Sequence, residues 1–353
     1  MTTAKKTAKS AIIIIIFTLG SKFLGFLREV LIAAKFGASM ETDTFFVAMT
    51  ATSLITTLIT NAIRITFIPV LSEIESKEGK KGKISHTNNM VNIIFFFSLI
   101  LVVVGWLASP ILVKLLAKGF YGEQFNLAVK LTRIGLPKLI FSCILGVATG
   151  FLQSEQRHAS SAAVGFPFNF VFIFYLVFLS TTFGIEGLMV AAVIAVLSQL
   201  LIQLPELKKA GYKYKFIFDL KDKYINKVLY LSLPVFLGVA INDLNAIVDR
   251  TLASSLASGS ISALNYANRL NSLILGVFVT AITTVIFPLL SKESNNDNIQ
   301  GMKKIMGYGV NLILLISIPA TVGLIVLAKP IVEVAFQRGE FESTATIMTS
   351  QAL

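Results

Sequence analysis

SKFLGFLREVLIAAKFGASMETDTFFVA, residues Ser21 to Ala48, decides how this chain is read. It follows the apolar run AIIIIIF (Ala11–Phe17) and precedes another long apolar region. A bilayer crossing needs roughly 20 consecutive apolar residues. The run reaches that length only with Lys22, Arg28 and Glu29 inside it. Each ionisable group costs about 2.5–3.5 kcal/mol at a helix centre on insertion scales. Such groups persist where they face a bundle interior or a wet cavity. The first helix is therefore expected to line something polar.

The composition agrees with a membrane setting. Of 353 residues, 55% are hydrophobic and only 14% charged, with a mean hydropathy of +0.78. That is the profile of an all-α polytopic membrane protein. The apolar runs are too long, and alternate too little, for a membrane β-barrel. The net charge of +12 would point to nucleic acid on a soluble protein; here it reads as the positive-inside rule. A single cysteine, Cys143, excludes an intrachain disulfide and sits in an apolar run as packing. His86 and His158 fall in expected loops, so no metal site is expected. Lys5, Lys6 and Lys9 followed by an apolar run resemble a signal peptide. No A-x-A site follows, so an uncleaved first helix is the better reading.

Nine spans are expected, near 11–36, 43–70, 90–117, 127–153, 159–181, 184–204, 225–254, 260–290 and 305–335, with a tenth beginning at Glu342. Lysine and arginine concentrate in alternate connections: the tail, Lys77–Lys83, Arg157, the stretch 206–227, and Lys292–Lys304. The rule then places the N-terminus in the cytoplasm. The longest and most basic connection, 206–227, reads as a cytoplasmic connector touching anionic head groups. A repeat is also visible. Pro288 in FPLLS lies 219 residues after Pro69 in IPVLS, and Pro330 in LAKPI lies 220 after Pro110 in LASPI. Two anchors at nearly one spacing imply two six-helix lobes related as a parallel repeat, as in transporters. The lobes are 1–205 and 225–353, joined by a basic linker at 206–224, with the second lobe incomplete. The chain is accordingly expected to be a partial sequence.

Polar residues recur on helical faces. Ser53, Thr57, Thr60, Asn61 and Arg64 share one face of the second span, with Asp43 and Thr50 extending it. Hydroxyls in such rows commonly bond between helices, but Arg64 and Asp43 need a wet or paired site. Asn242, Asn245 and Asp249 share a face beside Asp243 and Arg250, and Asn265, Asn268, Arg269 and Ser272 follow helical spacing. Arg269 has no carboxylate three or four residues away, so local pairing does not explain it. Arg133 and Lys138, flanking Pro137, read as snorkelling side chains near a helix end. The interior is net cationic: Lys22, Arg28, Arg64, Arg250 and Arg269 against Glu29, Asp43, Asp243 and Asp249. Guanidinium forks match phosphate oxygens and stay charged in low dielectric. An anionic, phosphate-bearing substrate is the physical inference. Lys22, Arg28, Arg64 and Arg269 are the candidate ligands of that substrate. Glu29, Asp43, Asn61, Asp249, Arg250 and Asn268 are the candidate cavity and gate residues. No P-loop, HExxH or GxSxG occurs, so a transporter is expected in place of an enzyme, without a cofactor beyond a coupling ion or the membrane potential. A cation-coupled multidrug exporter would want acidic, aromatic walls, which the basic bias opposes. A non-transporting membrane scaffold is a third reading.

At these residues the sequence resembles the MurJ/MviN lipid II flippases of the multidrug/oligosaccharidyl-lipid/polysaccharide exporter superfamily. The resemblance is carried by Ser21–Ala48 and by FIPVLSE, SALNYANRLNSLILGVF, TVIFPLLSKE and FQRGEF. It implies two six-helix lobes plus two terminal helices, flipping an undecaprenyl-pyrophosphate-linked peptidoglycan precursor by alternating access. Implied partners are that lipid-linked oligosaccharide, membrane lipids and cell-wall synthesis enzymes, with no nucleic acid. The arginine of the family's GFxRD motif falls on Arg28, with Glu29 replacing its acid. The acid of TDAFF falls on Asp43. The arginine of YADRL falls on Arg269, while Asn268 replaces the acid before it. Lys22 stands where the family has an arginine. The family's helix-two arginine has no counterpart near Ile55–Thr57, and Arg64 lies about two turns further on. These departures leave another lipid-linked oligosaccharide, a capsule or exopolysaccharide unit, as the alternative substrate.

Overall fold

A computed structural model describes the chain from residue 3 to residue 353, with side chains from residue 16 onward except 242, 243, 274, 275, 277, 278, 280, 281 and 284. Twelve helices and no strand make up the described residues. Apolar solvent leaves a spanning backbone no partner but itself, which is why the long apolar runs are helical throughout. They are α1 (Thr3–Phe36), α2 (Met40–Leu116), α3 (Gly122–Gly135), α4 (Lys138–Ser154), α5 (His158–Ala163), α6 (Gly165–Phe178), α7 (Ser180–Lys209), α8 (Lys223–Ala253), α9 (Ser260–Asn295), α10 (Ile299–Val326), α11 (Ala328–Phe336) and α12 (Ser343–Ala352). Among the described residues, six stretches are long and apolar enough to cross a bilayer: Met40–Leu116, Gly122–Ser154, His158–Phe178, Ser180–Lys209, Lys223–Ala253 and Ile299–Val326.

α2 departs most from the expected pattern. At 1.5 Å per residue an unbroken helix of this length would run about 115 Å, far beyond a bilayer core of about 30 Å. It is broken at Gly79, whose φ of 69° and ψ of −174° are not helical. Glycine alone adopts such values without a Cβ penalty. The expected spans 43–70 and 90–117 are the two limbs of this element, and the charged stretch between them is helical on both sides of Gly79. The expected loop is therefore absent, and His86 lies on a helix. His158 likewise opens α5. Sequence misses this because lysine runs look like loops, whereas here the charges are matched at helical spacing and across the break. Lys77 Nζ meets Glu73 at 2.8 Å, and Lys83 Nζ meets Glu75 at 2.7 Å. Three other expected spans are interrupted: 127–153 at Leu136–Pro137, 159–181 at Val164, and 305–335 at Leu327.

Two buried clusters organise the bundle. One lies at the end where α2 begins and joins Ile32, Phe45, Val47 and Ala48 to Tyr266, Phe336 and Phe341. Tyr266 is fully buried there, its ring 5.1 Å from Phe336 and 5.5 Å from Phe341. The other lies toward Gly79 and joins Phe67, Leu71 and Met90 to Cys143, Phe151, Leu207 and Tyr224. Cys143 packs there as expected.

The connection between α7 and α8 is shorter than the expected 206–227 linker, because α7 reaches Lys209 and α8 starts at Lys223. Residues 210–222 carry no helix or strand. They are held along the second limb of α2 by three asparagines. Asn88 donates to the Lys213 carbonyl (3.0 Å) and Asn92 to that of Ile217 (2.9 Å). Asn89 donates to the Asp219 carbonyl and accepts from the Asp219 amide, both at 2.8 Å. Tyr212 and Tyr214 donate their hydroxyls to Asn88 and Asn92.

Candidate functional site

Glu29 is the centre of the site. It is 2% exposed and lies about 10 Å along the α1 axis from Phe36 at 1.5 Å per residue. A carboxylate that deep needs partners. Arg28 Nη2 donates to its Oε1 at 2.7 Å, Arg269 Nε stands 3.3 Å from the same oxygen, and Asn265 Nδ2 donates to Oε2 at 3.4 Å. α1 and α9 thus meet through one acid shared by two guanidinium groups. This explains the lack of a local partner for Arg269: its carboxylate comes from the other end of the chain.

Arg28 is held from a third element. Its Nη1 donates to Asn169 Oδ1 of α6 at 3.1 Å, and its guanidinium lies 5.3 and 5.1 Å from the Phe168 and Phe172 ring centres, within cation–π range. Asn169 is itself fixed, donating to the Gly165 and Ser21 carbonyls. Lys22 Nζ donates to the Gly276 carbonyl of α9 at 3.0 Å. These groups surround a cavity of about 320 Å³ lined by Ser21, Lys22, Gly25, Phe26, Arg28, Gly165, Phe168, Asn169, Arg269, Ser272 and Leu273. Arg28 is mostly covered, whereas Arg269 is 50% exposed. The wall presents three cations against one acid, with Arg269 open toward the cavity.

Three of the four expected ligands, Lys22, Arg28 and Arg269, come together here. Arg64 does not: it is exposed on α2, its Nη2 donating to Asn61 Oδ1 at 3.4 Å, and neither residue lines this cavity. Asn268 and Asp249 are also exposed and lie outside it. Arg250 donates to the Ile261 carbonyl (3.2 Å) and Asn265 Oδ1 (3.5 Å), closing the α8–α9 turn. Asn242 and Asp243 lie outside the described side chains. The hydroxyl face of α2 is mostly self-satisfied. Thr50 and Thr60 donate to carbonyls one turn back, as threonines in apolar helices do. Asn169 escaped sequence reading, because nothing near it in the chain marks it as polar-site material.

Lys138 corrects the snorkelling expectation. It is 4% exposed, its Nζ donating to Ser53 Oγ at 3.2 Å and approaching Met49 Sδ. The break at Leu136–Pro137 starts α4 facing α2. Arg133 is no free snorkeller either: its Nε donates to Ser109 Oγ at 2.9 Å, and its guanidinium lies 4.3 Å from the Trp106 ring centre.

Asp43 stands apart from the cavity and makes no ion pair among the described residues. Its Oδ2 accepts from the Gly259 amide at 2.7 Å, and its Oδ1 accepts from the Ser262 amide at 2.7 Å and the Ser262 hydroxyl at 2.5 Å. The paired site that Asp43 was expected to need is supplied by capping of α9, not by a cation. The first amides of a helix have no internal acceptor and carry partial positive charge. Tyr266 donating to the Gly37 carbonyl, Glu340 donating its amide to the Ala34 carbonyl, and Thr251 donating to that of Leu115 complete this latch.

The Gly79 end is knitted by matched charges. Lys83, fully buried, meets Glu155 at 2.6 Å as well as Glu75, over the Phe151 ring. Burial opposes the Glu155 charge, but hydrogen bonds from Lys83 and Lys80 outweigh it and hold this carboxyl below its usual range. Asp222 caps α8 and meets His86 Nδ1 at 2.5 Å. Burial is again the largest influence on it, and the bonds from His86 and Asn89 again prevail, lowering its pKa. Glu73 takes Lys227 of α8 at 2.5 Å, and Glu78 takes Lys223 at 3.2 Å. No cluster able to hold a metal occurs among the described residues.

The family described as "Lipid II flippase MurJ" matches residues 32–353. A probable lipid II flippase MurJ of Buchnera aphidicola subsp. Acyrthosiphon pisum (strain APS) is 32% identical over 350 residues, covering 98% of this chain and 68% of that protein. One from Vibrio cholerae serotype O1 is 31% identical over 369 residues, covering 100% and 70%. Among solved structures, a lipid II flippase MurJ in an inward closed conformation superposes with a TM-score of 0.79 at 27% identity, covering 96% of this chain and 70% of that one. An inward-facing MATE family transporter reaches a TM-score of 0.77 at 11% identity, covering 94% and 75%, which shows a shared fold alone. With the family pattern running from residue 32 to residue 353 and relatives above 30% identity along nearly all of it, this chain belongs to the MurJ lipid II flippase family.

Proposed function

We infer that this protein is a lipid II flippase, a transporter that moves the undecaprenyl-pyrophosphate-linked peptidoglycan precursor across the cytoplasmic membrane by alternating access. The observation that carries this reading, beside family membership, is the cationic cavity between α1, α6 and α9. The diphosphate is the charged part of such a substrate, and bidentate guanidinium groups match its oxygens. Glu29 holds Arg28 and Arg269 side by side without cancelling their joint charge, and Lys22 adds a third cation. The two lobes are residues 1–205 and 225–353, with 206–224 between them; the Pro69/Pro288 and Pro110/Pro330 spacing supports a parallel repeat. Lysine-rich connections support a cytoplasmic N-terminus and a cytoplasmic Gly79 end. Asp43 then serves as the outer latch: moving it off Gly259 and Ser262 opens the cavity outward.

The test is flipping of labelled lipid-linked precursor in cells or vesicles, with membrane abundance measured in parallel. Lysine keeps the charge but loses the fork. Arg28→Lys and Arg269→Lys are expected to lose most flipping at normal abundance. Wild-type flipping by both variants would end the diphosphate-clamp reading. Loss of protein without a specific transport defect would assign the arginines to the scaffold instead.

A further inference from the structure

Exposed apolar side chains on spanning helices need no explanation, since lipid covers them. The connector between α7 and α8 lies outside every spanning stretch. Even so, Tyr214 (60%), Phe216 (62%), Phe218 (46%) and Leu220 (62%) are exposed on it. Lys213, Lys215 and Lys221 are exposed among them. Such a strip in water would be a costly hydrophobic patch.

Its position resolves the difficulty. The Phe218 ring packs edge-on against Phe96, with centres 5.3 Å apart. Phe96 is itself exposed between exposed Phe95 and Phe97, at the start of the apolar run of the second limb of α2. The aromatic strip of the connector is therefore continuous with the lipid-facing surface at the depth where a span begins. Aromatic side chains gather at that depth, and lysines close to an anionic surface are drawn to it. The asparagine clamp fixes the height: Asn88, Asn89 and Asn92 hold the backbone at Lys213, Ile217 and Asp219. We propose that residues 213–221 form an interfacial anchor, which sinks Phe216, Phe218 and Leu220 to the head-group boundary and binds anionic lipid through Lys213, Lys215 and Lys221. The segment that joins the lobes is then pinned on one side to α2 and on the other to the membrane surface.

The chain offers a clean probe, because its one cysteine, Cys143, is fully buried. A nitroxide attached to Phe216→Cys in the protein reconstituted into phosphatidylglycerol–phosphatidylcholine vesicles reports depth through collisions with oxygen against a water-soluble nickel complex. The anchor predicts loss of nickel collisions and gain of oxygen collisions, deepening as phosphatidylglycerol replaces phosphatidylcholine. Added Lys213→Gln, Lys215→Gln and Lys221→Gln should abolish that dependence on anionic lipid. A label at full aqueous accessibility in both lipids would overturn the anchor. Immersion indifferent to phosphatidylglycerol and to the lysine changes would overturn anionic recognition. None of these residues lines the cavity, so a negative result here leaves the flippase reading standing.

Discussion

Two of the places where this protein buries charge are built oppositely. At the Gly79 end, Lys83 is fully buried and touches two carboxylates, Glu75 and Glu155, so the acids at least match the cations. In the cavity, Glu29 alone faces Arg28 and Arg269, with Lys22 beside them, and Arg269 stays half exposed. Matched buried pairs hold a structure once formed, and breaking one is expensive. A half-exposed guanidinium that shares one acid with a second guanidinium leaves binding capacity for an anion. The first arrangement fastens helices, and the second is the one we propose for the diphosphate.

The sharpest way to break this contrast is Lys83→Met. It leaves Glu155 with Lys80 alone and Glu75, which is half exposed, with solvent. Each hydrogen bond to a charged group that is lost costs about 1.5–3 kcal/mol, less where solvent reaches the acid. The expected outcome is a marked fall in thermal stability in detergent, with flipping per folded molecule unchanged. A neutral effect on stability would erase the distinction between the two sites.

Asp43→Ala should have an intermediate effect, because it removes a cap and leaves no charge stranded. Loss of a helix cap costs about 0.5–2 kcal/mol. That cost falls on the end held by this cap, so accessibility of Ala263→Cys, a buried neighbour that does not bond Asp43, to a membrane-impermeant thiol reagent should rise, with little loss of folded protein. Unchanged accessibility would remove Asp43 from the latch.

Acid provides the smallest and most local test. Glu155 and Asp222 have their pKa values lowered in the folded protein. A lowered carboxylate contributes stability that is present above its unfolded value and lost as pH falls through its folded one. Their usual values are 4.5 and 3.8, so loosening should begin below those values and be absent near neutrality. Both groups are partly screened by solvent, which limits each effect to less than about 1 kcal/mol. Hydrogen exchange, corrected for its intrinsic pH dependence, should lose protection around Asn89 and Asp219 first. Protection at those amides that survives acid better than the rest of the bundle would reverse the assignment.

Sequence exposed one half of this contrast better than the other. Lys22, Arg28 and Glu29 were legible because charges inside an apolar run have a known cost. Arg269 stood out for want of a local partner. The counterpart contacts were not legible. Asn169 reaches Arg28 from 141 residues away, and an asparagine in a phenylalanine-rich run carries no local signal. Arg64 satisfied the same criterion as Arg28, yet Asn61 one turn back is its partner and α2 turns it from the cavity. Lys138 looked like a snorkelling residue until the break at Pro137 fixed its direction. The charged stretch around Gly79 read as a loop because composition cannot show that Glu75 will meet Lys83 across a single non-helical glycine. The family motif located Asp43; that it captures amides and not an arginine is a matter of backbone geometry.

Lys83 also sets an order in time. Its second carboxylate, on Glu155, is made 72 residues after it. At the usual synthesis rate of about 5–20 residues per second, that is a delay of roughly 4–14 seconds. Until then, of the two carboxylates that Lys83 meets in the finished bundle, only Glu75 has been made. The lysine that fastens the finished bundle gains its second partner only once α3 and α4 have been made, so this joint closes late.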